Sequence, residues 1–204
     1  MNSALYSNQG YIKHLDRINC FGRRSLTLKR ILNYLEPVST DRILEIGCNR
    51  GKTLKEIKKH SQNTTGIDFN ALAVSSAVTS NIIEMDGTEM SFSSDYFDKV
   101  YSSHTIEHVP DLNKFIKEIE RVVKPGGKVL LIYPCEIIRG CWTLVDAIFV
   151  YKDISMARKL HLHKLTPNKI KKLVKGTSLQ HKRSGLHFVL FISYFTLLEK
   201  DRGV

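Results

Sequence analysis

Between Arg42 and Tyr133 short apolar runs of strand type alternate with stretches whose apolar residues recur at helical spacing. "RILEIG" (42–47), "TTGID" (64–68), "NIIEMD" (81–86), "FDKVYSS" (97–103) and "KVLLIYP" (128–134) read as strands. "TLKEIKKH", a stretch through Asn70–Thr79 and "DLNKFIKEIERVV" read as the helices between them, the last stopped by "KPGG". Such alternation favours a mostly parallel sheet covered by helices on both faces, because parallel strands need long crossovers and both faces must be buried. Ser25 is placed to cap "LTLKRILNYL", which Pro37 would end. Cys135–Gly176 reads as mostly helical and Thr177–Lys200 as two closing strands. The expectation is one domain over 1–204: a helical cap (1–37), a core (38–134), a helical insert (135–176) and closing strands (177–200).

In open α/β sheets a ligand lies beyond the carboxyl ends of the strands, so the loop after the first strand is the place to look. There, Gly47-Cys48-Asn49-Arg50-Gly51-Lys52-Thr53 resembles a phosphate loop but has three residues between its glycines where a P-loop has four. A dinucleotide fingerprint would need glycine at 47, 49 and 52, and only the first is present. The spacing E-x-G-x-G-x-G fits Glu45, Gly47 and Gly51 and departs only at Asn49.

Taken in order, "ILEIGCNRG", "GIDFN", "EMDGTEMSF", "YFDKVYSSHTIEHVPD" and "EIERVVKPGGKVLL" resemble the successive motifs of class I S-adenosylmethionine-dependent methyltransferases, in the type 11 or quinone-biosynthesis-like branch. The resemblance runs from about Arg30 to Tyr133 and implies a seven-stranded Rossmann-like sheet with an antiparallel closing strand. It implies S-adenosylmethionine as cofactor, held by Glu45, Gly47, Cys48, Asn49, Gly51, Asp68, Phe69, Asp86, Gly87, Thr88 and Ser102. Within that set Asp68 would take the ribose hydroxyls and Asp86 with its neighbours the adenine edge. Glu45 would orient the loop or the methionine ammonium, with a salt bridge to a basic residue as the structural alternative. Asp68 could instead cap a helix and Asp86 serve as a turn residue. Asn49 suits the loop because asparagine tolerates left-handed backbone, and Cys48 is expected to pack rather than react.

"HTIEH" matches H-x-x-E-H, a zinc-peptidase signature whose spacing would place His104, Glu107 and His108 on one helical face. Its position after the fourth strand of a methyltransferase-like sheet makes protease chemistry the wrong context. Some relatives hold a divalent ion through E-x-x-E-H and a later histidine, which here would be His104, Glu107, His108 and His161. Histidine in place of the first glutamate disfavours a hard cation, so no metal is expected and His108 is assigned to packing or capping. His104 is the candidate base.

The four cysteines form no metal-type pair, which with the absence of an apolar leader in "MNSALYSNQGYIKHLDR" points to a cytoplasmic protein with reduced thiols. Ten basic residues against one acid between Tyr151 and Arg183 make either a solvated face or an anion-attracting surface. By the resemblance, the same region with Trp142, Phe149 and Tyr151 would build the acceptor pocket, suiting a small, amphiphilic or anionic acceptor, with RNA as the alternative partner. Contact with a membrane surface stays open, while "FVLFISYFTLL" is too short to span one as a helix.

Overall fold

The computed structural model describes residues 22–138, 140–189 and 191–203. Readings of the first 21 residues, including Cys20 and the leader, lie outside them. Strands β1 (Ile43–Ile46), β2 (Thr64–Asp68), β3 (Ile82–Glu84), β4 (Phe97–Ser103), β5 (Val123–Pro134), β6 (Leu179–Val189) and β7 (Phe191–Lys200) form one sheet in the order β3-β2-β1-β4-β5-β7-β6. The first five run parallel, and β7 pairs antiparallel with both β5 and β6. The expected Rossmann-like sheet with an antiparallel closing strand is therefore present. The order reverses at β1, whose Ile46 sits between Ile67 of β2 and Ser102 of β4.

Every residue of β1 is buried, as expected of a strand covered on both faces. Its alternate side chains feed two cores. Ile43, with Tyr101, Leu130 and Ile132, packs under Ile31 and Leu35 of α1 (Gly22–Leu35). Leu44 and Ile46, with Val100, Val129 and Leu131, meet Phe115, Ile116 and Ile119 of α4 (Leu112–Val122). Each such fully buried side chain is worth about 1.5–3 kcal/mol over leaving it exposed. Asp111 caps α4 by accepting from the Lys114 amide at 3.0 Å. Helices α2 (Lys52–Ile57) and α3 (Ala71–Ser75) are short, and α3 starts from Asn70, whose side chain accepts the Leu72 amide. The insert between β5 and β6 contains a 3-10 turn (Cys141–Thr143) and helices α5 (Leu144–Phe149), α6 (Met156–Leu160) and α7 (Pro167–Leu173).

Two local expectations fail. The first helix is already formed at Gly22, so Ser25 lies inside it and cannot be its cap. "KPGG" does not separate helix from strand: α4 passes directly into β5 at Val123. The pairing with β4 then jumps from Phe97↔Val123 to Lys99↔Lys128, leaving Lys124–Gly127 as a bulge within β5. Gly126 takes φ 77 there, and a Cβ on Gly127 would lie 2.6 Å from Val123. No helix among the described residues is long and apolar enough to cross a membrane.

Candidate active site

The carboxyl ends of β1, β2 and β4 meet around the glycine loop. Gly47, Asn49 and Gly51 take φ values of 77, 50 and 73. The left-handed Asn49 is the conformation its side chain was expected to tolerate. Gly47 has no alternative residue: a Cβ there would lie 2.0 Å from the Thr105 hydroxyl, in the loop after β4. The loop is tied to β2 by the Gly47 and Cys48 amides, which both donate to the Ile67 carbonyl (2.8 and 3.0 Å). The Asn49 amide donates to Asp68 Oδ2 (2.7 Å), and the Asn70 amide to Asp68 Oδ1 (2.9 Å). Asp68 thus latches the loop to the start of α3, while Asn70, not Asp68, is the helix cap. Burial raises the Asp68 carboxyl above its usual value, against the pull of those two amides.

Glu45 is buried and its Oε2 has no hydrogen-bond partner. Among the described residues it forms no ion pair with a basic side chain. Burial, with the nearby Asp68 charge and against the Tyr101 hydroxyl, pushes its carboxyl up to about 8. Since the folded value exceeds the usual 4.5, this group's contribution to stability is complete below that value and is lost as pH rises through about 8. Asn49 Oδ1 and Ser102 Oγ are also buried without partners, and the Tyr101 hydroxyl faces the Glu45 carboxyl. Glu45 and Tyr101 pair in register on one face of the sheet and Ser102 lies on the other, so these polar atoms flank the ends of β1 and β4, where a polar ligand would satisfy them. Cys48 packs on Gly66 and Leu54, and burial raises its thiol far above the reactive range, so it is a packing residue.

On the β3 side, Asp86 Oδ1 accepts both the amide and the hydroxyl of Thr88 (2.8 Å each), so one carboxylate oxygen serves the turn. Gly87 lets this turn approach β1, since a Cβ would meet Ile46 and Phe115 at about 3 Å. Phe69 leans the other way, packing with Leu160, Val150 and Tyr151 of the insert.

"HTIEH" is not one helical face. His104 stands at φ 55 before a 3-10 turn, Ile106–His108. The left-handed residue ends the strand and sends the ring toward Ser193 Oγ (Nε2, 3.4 Å) and Glu107 Oε1 (Nδ1, 3.4 Å). Glu107 is fully buried, and its Oε2 has no hydrogen-bond partner. Burial alone would raise this carboxyl, but His104, His108 and His161 around it outweigh burial and hold it at about 2. Glu107, His108 and His161 bring one ligand atom each within 4.8 Å of one another, and His104 Nδ1 approaches the same Glu107 Oε1 that faces His108. His108 Nδ1 donates to the Leu160 carbonyl at 2.6 Å, so the neutral ring turns the Nε2 lone pair toward Glu107, 4.0 Å away. Burial lowers His108 to about 4, so that neutral form prevails at pH 7. His108 therefore bridges to the insert instead of capping a helix. His161 Nδ1 lies 2.8 Å from Glu136 Oε1, an arrangement that orients an imidazole.

Glu136 was missed by the sequence reading. The available signal was an acid just past the apolar fifth strand, at the end of the sheet where ligands bind. Of the expected pocket aromatics, Tyr151 packs beside Leu160 and Met156, but Phe149 is 75% exposed and lines no interior pocket. The Trp142 side chain lies outside the described residues. A polar cleft of about 280 Å³ lined by Ser94, Asp95, Glu120, Arg121 and Lys200 sits at the amino ends of the parallel strands, away from this chemistry.

Comparison with known proteins agrees with this geometry. Residues 44–131 match the family model described as a methyltransferase domain. A ubiquinone biosynthesis O-methyltransferase of Serratia proteamaculans is 27% identical over 96% of this chain and 83% of its own length. A sterol 4-C-methyltransferase of Caenorhabditis elegans is 31% identical over 43% of this chain, which spans 29% of that relative. The solved structure of the N-methyltransferase NodS of Bradyrhizobium japonicum, in complex with S-adenosyl-L-homocysteine, shares the fold at a TM-score of 0.66 and 15% identity, over 90% of each chain. A reversed sheet order at β1, a glycine loop latched by Asp68 and the matching model mark residues 44–131 as a methyltransferase domain, on the Rossmann-like sheet of the class I S-adenosylmethionine-dependent methyltransferases.

Proposed function

We propose that the chain, as a single cytoplasmic domain, transfers the cofactor's methyl group to a small amphiphilic acceptor. The observation that carries this is the set of buried, unpartnered polar atoms of Glu45, Asn49 and Ser102 at the ends of β1 and β4. They fit a polar ligand with a cationic ammonium, which would meet Glu45, while Asp68 would hold the ribose and the Asp86–Thr88 turn the adenine. The bound cofactor supplies an already activated methyl group on a sulfonium. The protein's part is to align the acceptor and exclude water.

An acceptor hydroxyl must lose its proton as the new bond forms. His104, partly exposed after β4, is placed to take it, and Glu107 at 3.4 Å holds the ring and stabilises the imidazolium. The relatives named as a ubiquinone biosynthesis O-methyltransferase and a sterol 4-C-methyltransferase support an acceptor with an apolar body; no comparable support favours RNA. Label transfer from methyl-tritiated S-adenosylmethionine to a short-chain polyprenyl catechol should proceed, and His104→Ala should lower kcat by about 10²–10⁴-fold with cofactor affinity unchanged. Label entering tRNA and no catechol would overturn this reading.

A second reading concerns a metal. A buried carboxylate with an unpartnered oxygen, a His108 lone pair aimed at it, and His161 oriented by Glu136 make a donor set that fits a divalent ion such as zinc or manganese better than magnesium. Held by Glu107, His108 and His161, such an ion would supply Lewis acidity for an acceptor oxygen. Elemental analysis of the purified protein should then find a transition metal near one equivalent, lost in Glu107→Gln. A metal-free protein whose turnover resists chelators would leave the cluster as a histidine–carboxylate dyad.

A further inference from the structure

We infer that the outer face of the acceptor-side insert docks on an anionic lipid bilayer. Thirteen large apolar side chains stand exposed among the described residues, and six of them fall between Ile137 and Ile154. Ile137 is 85% exposed, Phe149 75%, Ile154 66% and Ile138 62%. Leu144 and Ile148 lie one turn apart on the outer side of α5, while Ala147 faces inward and is buried. Exposed apolar residues scattered singly need no explanation, but a concentration of this kind marks a contact surface.

The surface is held on a fixed frame. Glu136 Oε1 accepts the Gly140 amide at 2.9 Å and pairs with His161, and Thr143 donates to the Ala157 carbonyl at 2.8 Å. A Cβ on Gly140 would lie 2.5 Å from that same carbonyl, so the Ile137–Ile138 loop is pressed against α6.

Charge identifies the occupant. Lys152, Arg158, Lys159 and Lys164 are exposed in the same segment, and Lys164 donates to the Ile137 carbonyl, which sets a cation beside the most exposed isoleucine. Between Lys152 and Lys164 the one acid, Asp153, is engaged by the amide and hydroxyl of Ser155, both at 2.9 Å. Protein–protein interfaces are depleted in lysine, whereas an anionic membrane surface attracts lysine and arginine and takes up isoleucine and phenylalanine at the headgroup boundary. Phe69 packs on Leu160, so the docked segment also borders the cofactor end of the sheet. An amphiphilic acceptor would then pass from the bilayer toward His104; this route rests on the proposed acceptor class, whereas docking itself does not.

Flotation of the full chain with vesicles tests docking without reading turnover. Binding is expected to phosphatidylcholine mixed with phosphatidylglycerol, to weaken with salt, and to be slight on phosphatidylcholine alone. Ile137→Ser with Phe149→Ser should reduce binding by about tenfold or more, and Lys159→Glu with Lys164→Glu should also weaken it, both with unchanged thermal unfolding. Failure to float with either vesicle, or flotation indifferent to both variants, would overturn the inference. So would a dimer that Phe149→Ser dissolves in a protein that ignores vesicles, or binding to tRNA in place of lipid.

Discussion

Gly47→Ala should destabilise the protein by about 2–6 kcal/mol and remove measurable cofactor binding. Two separate costs contribute: a non-glycine residue held in a strained backbone region, and overpacking of a filled space, each worth about 1–3 kcal/mol. The new methyl would stand 2.0 Å from the Thr105 hydroxyl, with the Thr105 methyl and Cβ at 2.6 and 2.8 Å, so no rotation of that side chain clears it. Adding Thr105→Gly should remove the overpacking cost and leave the backbone strain at φ 77. Urea unfolding should therefore place the double variant between the wild type and Gly47→Ala. Equal stability of Gly47→Ala and wild type would mean that the loop does not approach β4 as described.

Asp68→Ala should weaken cofactor binding by about 1.5–3 kcal/mol for the lost hydrogen bonds to a charged group, and should also destabilise the unliganded protein. The second effect follows from the latch: both carboxylate oxygens already accept backbone amides, from Asn49 and Asn70, and alanine leaves both without a partner. Asp68→Asn keeps one acceptor oxygen and removes the charge. It should recover part of the stability and little of the affinity, because ribose binding needs the carboxylate's spare lone pairs. Calorimetric titration beside thermal unfolding separates the two. If Asn restores both, Asp68 is only a latch and the ribose lies elsewhere.

The strand pattern was readable because the physics behind it is local. β4 runs from Phe97 to Ser103 as its sequence suggests, and the stripe of Phe115, Ile116 and Ile119 in α4 is set by one turn of helix geometry. The glycine loop was legible for the same reason: Gly47, Asn49 and Gly51 are residue types that accept left-handed backbone, and all three adopt it. What failed depended on distant partners. "KPGG" has the composition of a terminator, but pairing of Val123 with Phe97 and of Lys128 with Lys99 makes it a bulge. "HTIEH" has helical spacing, yet the His104 amide donates to Ile132 of β5 at 2.8 Å and the backbone turns left-handed there. Glu136 earns its place only through Gly140 and His161, and a partner 25 residues away leaves no periodic trace. The resemblance assigns Phe149 to the acceptor pocket by its place in the chain, and only the packing of Ala147 reveals which side of α5 faces out.

The central claim, a cofactor site at the ends of β1 and β2 closed around Glu45, is tested most directly by titrating S-adenosylmethionine calorimetrically at pH 7 in buffers of different ionisation enthalpy. With its carboxyl at about 8, Glu45 is mostly protonated in the unliganded protein and should ionise when the ligand's ammonium arrives. Binding is expected with up to one proton released, hence a more exothermic signal in Tris than in phosphate, and loss of that difference in Glu45→Gln. No heat with S-adenosylmethionine or its demethylated product, while ATP or NAD binds, would contradict it.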